Sequence, residues 1–499
     1  MRMSWSLAEI LENSAASHPL RPAYVWGGRE TSYSELMDQV MRCASGLASH
    51  GIVKGDKVVL LLGNSPDFVI AYYGILRIGA VAVPVNPTYT PEEIAYVLDN
   101  SRARAVIAAA PLEPVFHALR PRLPELKLVV LTEAGTSWDE LLDAGGGNIE
   151  SAYIKDDDTA VILYTSGTTG KPKGAMLSHR NLATNAESVH SMFKINHEDR
   201  AVVVLPMFHI YSMTVCVNAP LAVGAALIIM PRFQPAEVIR TIREDRATMF
   251  SGVPTMYSFL LQFPGASAAD FAGIRLCSSG GASLPLEVLN RFEEKFQTVI
   301  YEGYGLSEAS PVTAFNPLGG IRKPGSIGVD IPNVINKVVD SEGREVPRGE
   351  VGELIAQGPN IMQGYLGMPE ATAATLRDGW LYTGDMARMD EEGYIFIVDR
   401  KKDMINVGGF NVYPREVEEV IYQHPAVFEA AVVGVPDEVF GERVKAFVVR
   451  SDESLSVEDL LAFCQSRLVK YKIPTIVEFL AELPKNSSGK TLRRALREK

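Results

Sequence analysis

Short apolar runs separated by helical stretches constrain this chain more than any other feature. Residues 58–62, 80–83, 105–109 and 128–131 are runs of four or five mostly apolar side chains, the mark of strands buried on both faces. Residues 68–76 and 92–98, the latter opened by Pro91, carry helical spacing between them. The alternation returns further on, with strands at 201–205, 225–229, 275–278 and 299–301 and helices at 236–244, 255–261 and 286–296. Strands joined through helices run parallel, so the pattern predicts two α/β layers packed across helices. Residues 7–50 read as mainly helical. Residues 135–158, with Gly145-Gly146-Gly147 and Asp156-Asp157-Asp158, read as an exposed connection.

From about residue 325 short strands alternate with glycine turns, the spacing of a small β-barrel reaching to about 399. Five consecutive charges, Asp399-Arg400-Lys401-Lys402-Asp403, end that pattern, and a compact α+β pattern follows to the C-terminus. A chain of 499 residues is too long for one core. The expected fold is therefore α/β, with a large N-terminal domain over 1–399 and a small, mobile C-terminal domain over 400–499. The large domain comprises two packed α/β layers and the small β-barrel at about 325–399.

The most informative local string is Tyr164-Thr165-Ser166-Gly167-Thr168-Thr169-Gly170-Lys171-Pro172-Lys173-Gly174. A buried strand over 160–164 leads into it, and apolar residues resume at Ala175. A loop of glycines, hydroxyls and two lysines can bring N–H groups close to phosphate oxygens while its cations offset their charge. It is not a Walker loop, which has four residues between its first glycine and Gly-Lys. Here two residues separate Gly167 from Gly170, and Pro172 follows Lys171.

Composition narrows the partners. Lys plus Arg number 48 and Asp plus Glu 60, a net charge of −12, which argues against a nucleic-acid partner. Cys43, Cys216, Cys277 and Cys464 have no metal-binding spacing, as expected in a reducing compartment. No apolar run approaches the length of a membrane span, and the first residues lack the apolar core of a signal peptide. The expectation is a cytoplasmic monomer or homodimer with small-molecule partners and at most peripheral membrane contact.

Six further strings carry chemistry. Pro206-Met207-Phe208-His209-Ile210-Tyr211 and Ser279-Gly280-Gly281-Ala282 each follow a buried strand. In Tyr301-Glu302-Gly303-Tyr304-Gly305-Leu306-Ser307-Glu308, Tyr304 can stack on a flat base, while Ser307 and Glu308 can face phosphate and metal. Mg²⁺ takes few protein carboxylates and shares its shell with phosphates and water, so one glutamate suffices. Asp385 closes Trp380-Leu381-Tyr382-Thr383-Gly384-Asp385, and such a carboxylate can hold ribose hydroxyls. Arg400-Lys401-Lys402-Asp403 sits at the domain boundary, ahead of Gly408-Gly409-Phe410. Pro484-Lys485-Asn486-Ser487-Ser488-Gly489-Lys490-Thr491 makes a polar loop that can deliver an ammonium.

In this order the seven strings resemble the adenylate-forming superfamily, which includes acyl-CoA synthetases, luciferases and peptide-synthetase adenylation domains, and most resemble its bacterial fatty-acyl-CoA ligases. The resemblance implies activation of a carboxylic acid by ATP·Mg²⁺ to an acyl-adenylate with release of pyrophosphate, then transfer of the acyl group to CoA. It implies Lys490, His209 and Glu308 as catalytic groups, with His209 gating the path to CoA. The implied nucleotide site comprises Thr165, Ser166, Gly167, Thr168, Thr169, Lys173, Gly281, Ala282, Glu302, Gly303, Tyr304, Gly305, Ser307, Asp385, Val398 and Arg400, with Glu308 and Thr165 toward the metal. Lys402 is the implied pivot of the small domain, which then presents Gly408 and Gly409 for the CoA step. Many relatives have Lys at the position of Asn406, a departure that puts any role for that cation aside. The amino-acid-activating branch normally carries an Asp near Phe208-His209, whereas no acidic residue lies between Leu205 and Glu237. Tyr211, Met213, Val253 and Val312, with the small Gly281, Gly303 and Gly305, are the expected acyl pocket. A medium- or long-chain fatty acid is the favoured substrate, and an aryl acid of the coumarate or benzoate type the alternative. A luciferase-type oxygenase and a non-enzymatic nucleotide sensor are weaker readings: Asn406 weighs against the first, and the presence of both Lys490 and Glu308 against the second.

Overall fold

A computed structural model describes residues 6–133, 137–145, 152–165, 172–486 and 489–497. Two large sheets organise the N-terminal part. A seven-stranded sheet has its parallel centre in Val81–Pro84, Lys57–Leu61, Ala105–Ala109 and Leu128–Thr132, joined by Thr159–Thr165. A nine-stranded sheet has its parallel centre in Leu276–Ser279, Met249–Gly252, Arg200–Val203 and Ala226–Ile229. The helices Pro66–Arg77 and His179–Met192 bury residues around most of their circumference, which places them inside the molecule as the expected layers require.

Asn64 ties the two layers together. Just beyond the strand Lys57–Leu61, its amide donates to the carbonyls of Leu205 at 2.9 Å and Met230 at 3.1 Å, both past strands of the other sheet. Its oxygen accepts the Met207 N–H at 2.8 Å. Asn185 does the same from the helix His179–Met192, exchanging both hydrogen bonds with the backbone of Val312.

Two stretches depart from the sequence reading. Within residues 7–50 the chain makes two helices, Leu7–Ser17 and Tyr33–Ser49, but an antiparallel hairpin of Pro22–Trp26 and Arg29–Ser32 lies between them. Its two-residue turn, Gly27-Gly28, takes positive φ at both positions, as the tightest hairpins demand. The stretch read as an exposed connection contains the helix Ser137–Ala144, which buries Trp138 and Leu141. That helix lies so close to Tyr33–Ser49 that a Cβ on Gly46 would stand 2.2 Å from the Leu141 carbonyl oxygen.

The segment read as a small barrel forms a five-stranded antiparallel sheet of Ile335–Val339, Val351–Gln357, Leu376–Arg377, Trp380–Met389 and Ile395–Arg400. Its apolar face packs Val338, Leu354, Ala387, Met389 and Ile395 over Ala314 and Ile327. Beyond it, a second five-stranded sheet carries the helices Pro414–Tyr422 and Val457–Gln465 on one face, and Leu483 and Leu496 pack on the other. The result is a mixed α/β molecule with a large N-terminal and a small C-terminal domain. Among the described residues no helix is long and apolar enough to cross a membrane.

Candidate active site

One cavity of about 1130 Å³ opens where the carboxyl ends of the parallel strands meet the C-terminal domain. Ligands of open α/β sheets bind at those ends because the strands stop there and the connecting loops diverge. Ser166, Gly167, Thr168 and Thr169 lie outside the described residues. The two ends of their loop do not: Thr165 and Lys173 are register partners across the antiparallel pair Thr159–Thr165 and Lys173–Ser178, and both line the cavity.

The strand Ile300–Gly305 delivers Gly303, Tyr304 and Gly305 to the cavity wall, and Ser307 and Glu308 follow in a short 3-10 turn. Gly305 has no room for a side chain, since a Cβ there would stand 2.3 Å from the Pro311 carbonyl oxygen. Tyr304 donates its hydroxyl to Asp385. Burial, and next the neighbouring Asp385 carboxylate, hold the Tyr304 phenol well above its usual range, so it stays a donor. Asp385 also faces Arg400 at 3.5 Å, because the two are register partners across Trp380–Met389 and Ile395–Arg400.

His209 lines the cavity from the turn after the strand Arg200–Val203. The Tyr211 N–H donates to its Nδ1 at 3.3 Å, which leaves the ring proton on Nε2. Burial, then the nearby Lys490 ammonium, lower its pKa to about 4, so the ring is a neutral donor at physiological pH. Tyr211, Val253 and Val312 also line the cavity, with Gly281 and Ala282. The Tyr211 hydroxyl lies 3.3 Å from the Ser278 Oγ, which fixes the ring against Gly280.

Lys490 enters from the C-terminal domain. Its backbone N–H donates to the Asn486 side chain at 2.9 Å, and a Cβ on Gly489 would stand 3.1 Å from the Thr255 hydroxyl and 3.3 Å from Val253 of the large domain. Burial, then Arg400, lower the lysine pKa to about 8, with Asp385 acting in the opposite sense. Arg400 and Lys402 line the same cavity.

Three of the expected wall residues, Met213, Glu302 and Val398, lie off the cavity wall, and Gly408 and Gly409 of the later CoA step stand away from it. Met213 is fully buried in the π-turn Ser212–Asn218, off the cavity wall. Glu302 is also buried: Oε1 accepts the Leu284 N–H at 3.2 Å, Oε2 has no partner among the described residues, and burial raises its pKa to about 7. Its strand pairs with Leu276–Ser279 there, which seats the carboxylate away from the cavity. Val398 sits in the strand Ile395–Arg400 away from the wall. Gly408 and Gly409 are exposed, Gly408 bonded through its N–H to the Phe440 carbonyl at 2.8 Å. Several wall residues had no motif to announce them, among them Tyr89, Glu353 and Tyr365. Tyr365 donates its hydroxyl to Glu308 Oε1 at 2.8 Å, and the Lys173 Nζ lies 5.1 Å from its ring centroid.

Glu308 and Thr165 offer hard oxygen ligands of the kind Mg²⁺ prefers. Among the described residues no cluster of three or more His, Cys, Asp or Glu could hold a metal alone. A metal beside Glu308 therefore needs phosphate oxygens and water to complete its shell.

The arrangement suits phosphate, base, ribose and a carboxylate in one cavity, and comparison with known proteins agrees. The AMP-binding enzyme family matches residues 11–366, and the AMP-binding enzyme C-terminal domain matches residues 416–490. A long-chain-fatty-acid–CoA ligase of Bacillus subtilis (strain 168) is 39% identical over 99% of this chain and 94% of its own. A feruloyl-CoA synthase of Amycolatopsis sp is 37% identical over 97% of each chain. The crystal structure of ATP-bound MatB from Rhodopseudomonas palustris superposes with a TM-score of 0.94 at 34% identity, covering 99% of both chains. The chain belongs to the AMP-binding enzymes and, within that adenylate-forming family, is an acid–thiol ligase that forms acyl-CoA.

Proposed function

We propose that the protein activates a medium- or long-chain fatty acid as its acyl-adenylate and passes the acyl group to CoA. The observation that carries this reading is Lys490, brought from the small domain into a cavity shared with His209, Asp385 and Arg400. A carboxylate attacks the α-phosphorus of ATP only if both anions are held together and their charge is met. In this reading the Lys490 ammonium bridges carboxylate and α-phosphate, while the neutral His209 Nε2–H orients the carboxylate. The Thr165–Lys173 loop holds the leaving phosphates, and Asp385 with Arg400 holds the ribose. Glu308 and Thr165 would hold Mg²⁺, which when bound withdraws charge from the phosphates. Catalysis then consists of positioning and charge stabilisation.

The thioester step requires the ammonium to leave. We place the pivot at Lys402, between large-domain residues 1–399 and small-domain residues 400–499, so that turning brings in Gly408 and Gly409. Their exposure away from the cavity is what the adenylate-forming position would show.

For the substrate, the apolar wall of Val253, Val312 and Tyr211 and the absence of an acid between Leu205 and Glu237 support an uncharged tail. The identity to the Bacillus subtilis ligase supports a fatty acid, whereas the feruloyl-CoA synthase keeps an aryl acid as the second reading. The test is pyrophosphate release from ATP with C8–C18 fatty acids, cinnamate- and benzoate-type acids and amino acids, with and without CoA. The fatty acids should give the highest kcat/KM; higher values with aryl acids would move the assignment to the second reading, and higher values with amino acids would overturn both.

A further inference from the structure

We propose that Tyr365 is a positioning residue for the phosphate end of the cavity, acting on both charges there; this rests on the assignment of Glu308 to the metal and Lys173 to phosphate. Tyr365 lies on the two-residue edge strand Gly364–Tyr365, paired with Lys173–Ser178, and is nearly buried. The strap around it is fixed from three directions. The Tyr365 N–H donates to the Thr372 hydroxyl at 2.9 Å, the Met362 N–H donates to the Glu308 carbonyl at 2.8 Å, and a Cβ on Gly364 would stand 2.8 Å from Thr372 Cγ2. Such a strap leaves the ring little freedom.

The hydroxyl donates to Glu308 Oε1 at 2.8 Å, and the face of the same ring receives the Lys173 Nζ at 5.1 Å. A carboxylate oxygen only accepts, so the hydroxyl is the donor of this bond. One carboxylate oxygen is therefore held and the other is presented. Lys173 and Glu308 are opposite charges on the same wall, yet they form no ion pair with each other. The ring stands between them and offers each a partner that a ligand can supplement. Without it the two charges would neutralise one another, and neither would be fully available to a metal-bound triphosphate.

Two losses can be separated. Tyr365→Phe keeps the ring between the charges and removes the hydrogen bond to Glu308. Tyr365→Leu removes both. The full-length wild type, both variants and Glu308→Gln are titrated calorimetrically with ATP, once with Mg²⁺ and once with EDTA, in the absence of acid substrate. Tyr365→Phe should bind ATP·Mg²⁺ about tenfold more weakly, the effect of one hydrogen bond to a charged group, while metal-free ATP binds as in the wild type. Tyr365→Leu should weaken metal-free ATP as well and ATP·Mg²⁺ by about a hundredfold, because Lys173 then turns to Glu308. Equal weakening of both ATP forms in Tyr365→Phe would make the residue merely structural and overturn the inference, as would wild-type binding in both variants while Glu308→Gln loses its metal dependence. Unchanged metal dependence in Glu308→Gln would overturn the metal assignment and this inference with it. Should Tyr365→Leu not fold, the isosteric Tyr365→Phe decides the question.

Discussion

Glu308 and Lys490 face one cavity from two domains, and they are held there by different forces. Glu308 sits beside a sheet whose strands are buried, and the layers beneath it are joined by Asn64 and Asn185 through hydrogen bonds closed to solvent. The ties near Lys490 that cross the domain boundary are ionic. Three residues on, Arg493 donates twice to Glu418 at 2.8 Å, reaches Asp399 at 3.2 Å and lies 3.7 Å from Asp403. Asp399 precedes the proposed pivot at Lys402, and Asp403 and Glu418 follow it, so this guanidinium spans the boundary between domains. A packed core offers no second position at similar energy, whereas ion pairs can exchange partners. In the proposed mechanism the group that stays through both half-reactions is thus set in packing, and the group that leaves is set in charge.

The contrast is broken most severely at Lys490. Lys490→Ala should lose about 10²–10³ in acyl-AMP formation, equivalent to about 3–4 kcal/mol of transition-state stabilisation, yet still convert supplied acyl-AMP and CoA to thioester. Lys402→Pro should show the reverse, because a fixed φ stiffens the pivot. Both half-reactions are measured separately in both variants; equal losses in each would mean one static site serves both steps.

Next in size is Arg493→Gln. It leaves Glu418 and Asp399 without their guanidinium; breaking a buried pair typically costs about 3–5 kcal/mol, and this part-buried one should cost less. Amide exchange should rise over residues 405–450 and stay unchanged in the central strands of the two large sheets. Acyl-AMP formation should fall about tenfold to thirtyfold, less than for Lys490→Ala because the ammonium is still present. Uniform loosening of both domains would show that the small domain is not fixed separately.

The smallest effect is a pH limb. The Lys490 pKa lies at about 8, below that of an ordinary lysine, because burial and then Arg400 disfavour the charged form. In the proposed mechanism the ammonium is the working form, so kcat/KM for adenylation should fall as pH rises through about 8, roughly tenfold by one unit above it. His209, at about 4, contributes no limb in the physiological range. Lys490→Arg should remove the alkaline limb at whatever rate remains; an unchanged limb would assign it to another group.

Much of this molecule could be read before its structure. The parallel strands were visible because both faces are buried, which leaves uninterrupted apolar runs such as 58–62 and 105–109. The site strings at 206–211, 301–308 and 484–491 stood out because phosphate, metal and base each demand particular residues at close spacing. What escaped notice depends on partners distant in sequence. The helix Ser137–Ala144 is short and flanked by glycine and acid, and only its fit against Gly46 reveals why Trp138 and Leu141 are buried. Tyr365 belongs to no string of its own, and its partner Glu308 is 57 residues away. The placement of Glu302 has a related cause: it lies next to wall residues, but the strand pairing beneath it decides where its carboxylate goes.

Asn64 has a consequence for how such a chain comes off the ribosome. Its amide waits for carbonyls up to 166 residues further along, at Leu205 and Met230. Until those residues emerge, the first sheet carries a polar group destined for burial and has nothing to bury it against. Until then water satisfies the amide, and covering it without those carbonyls would cost about 1–3 kcal/mol. The cavity between the strand ends is therefore completed only after the chain as far as Met230 has emerged.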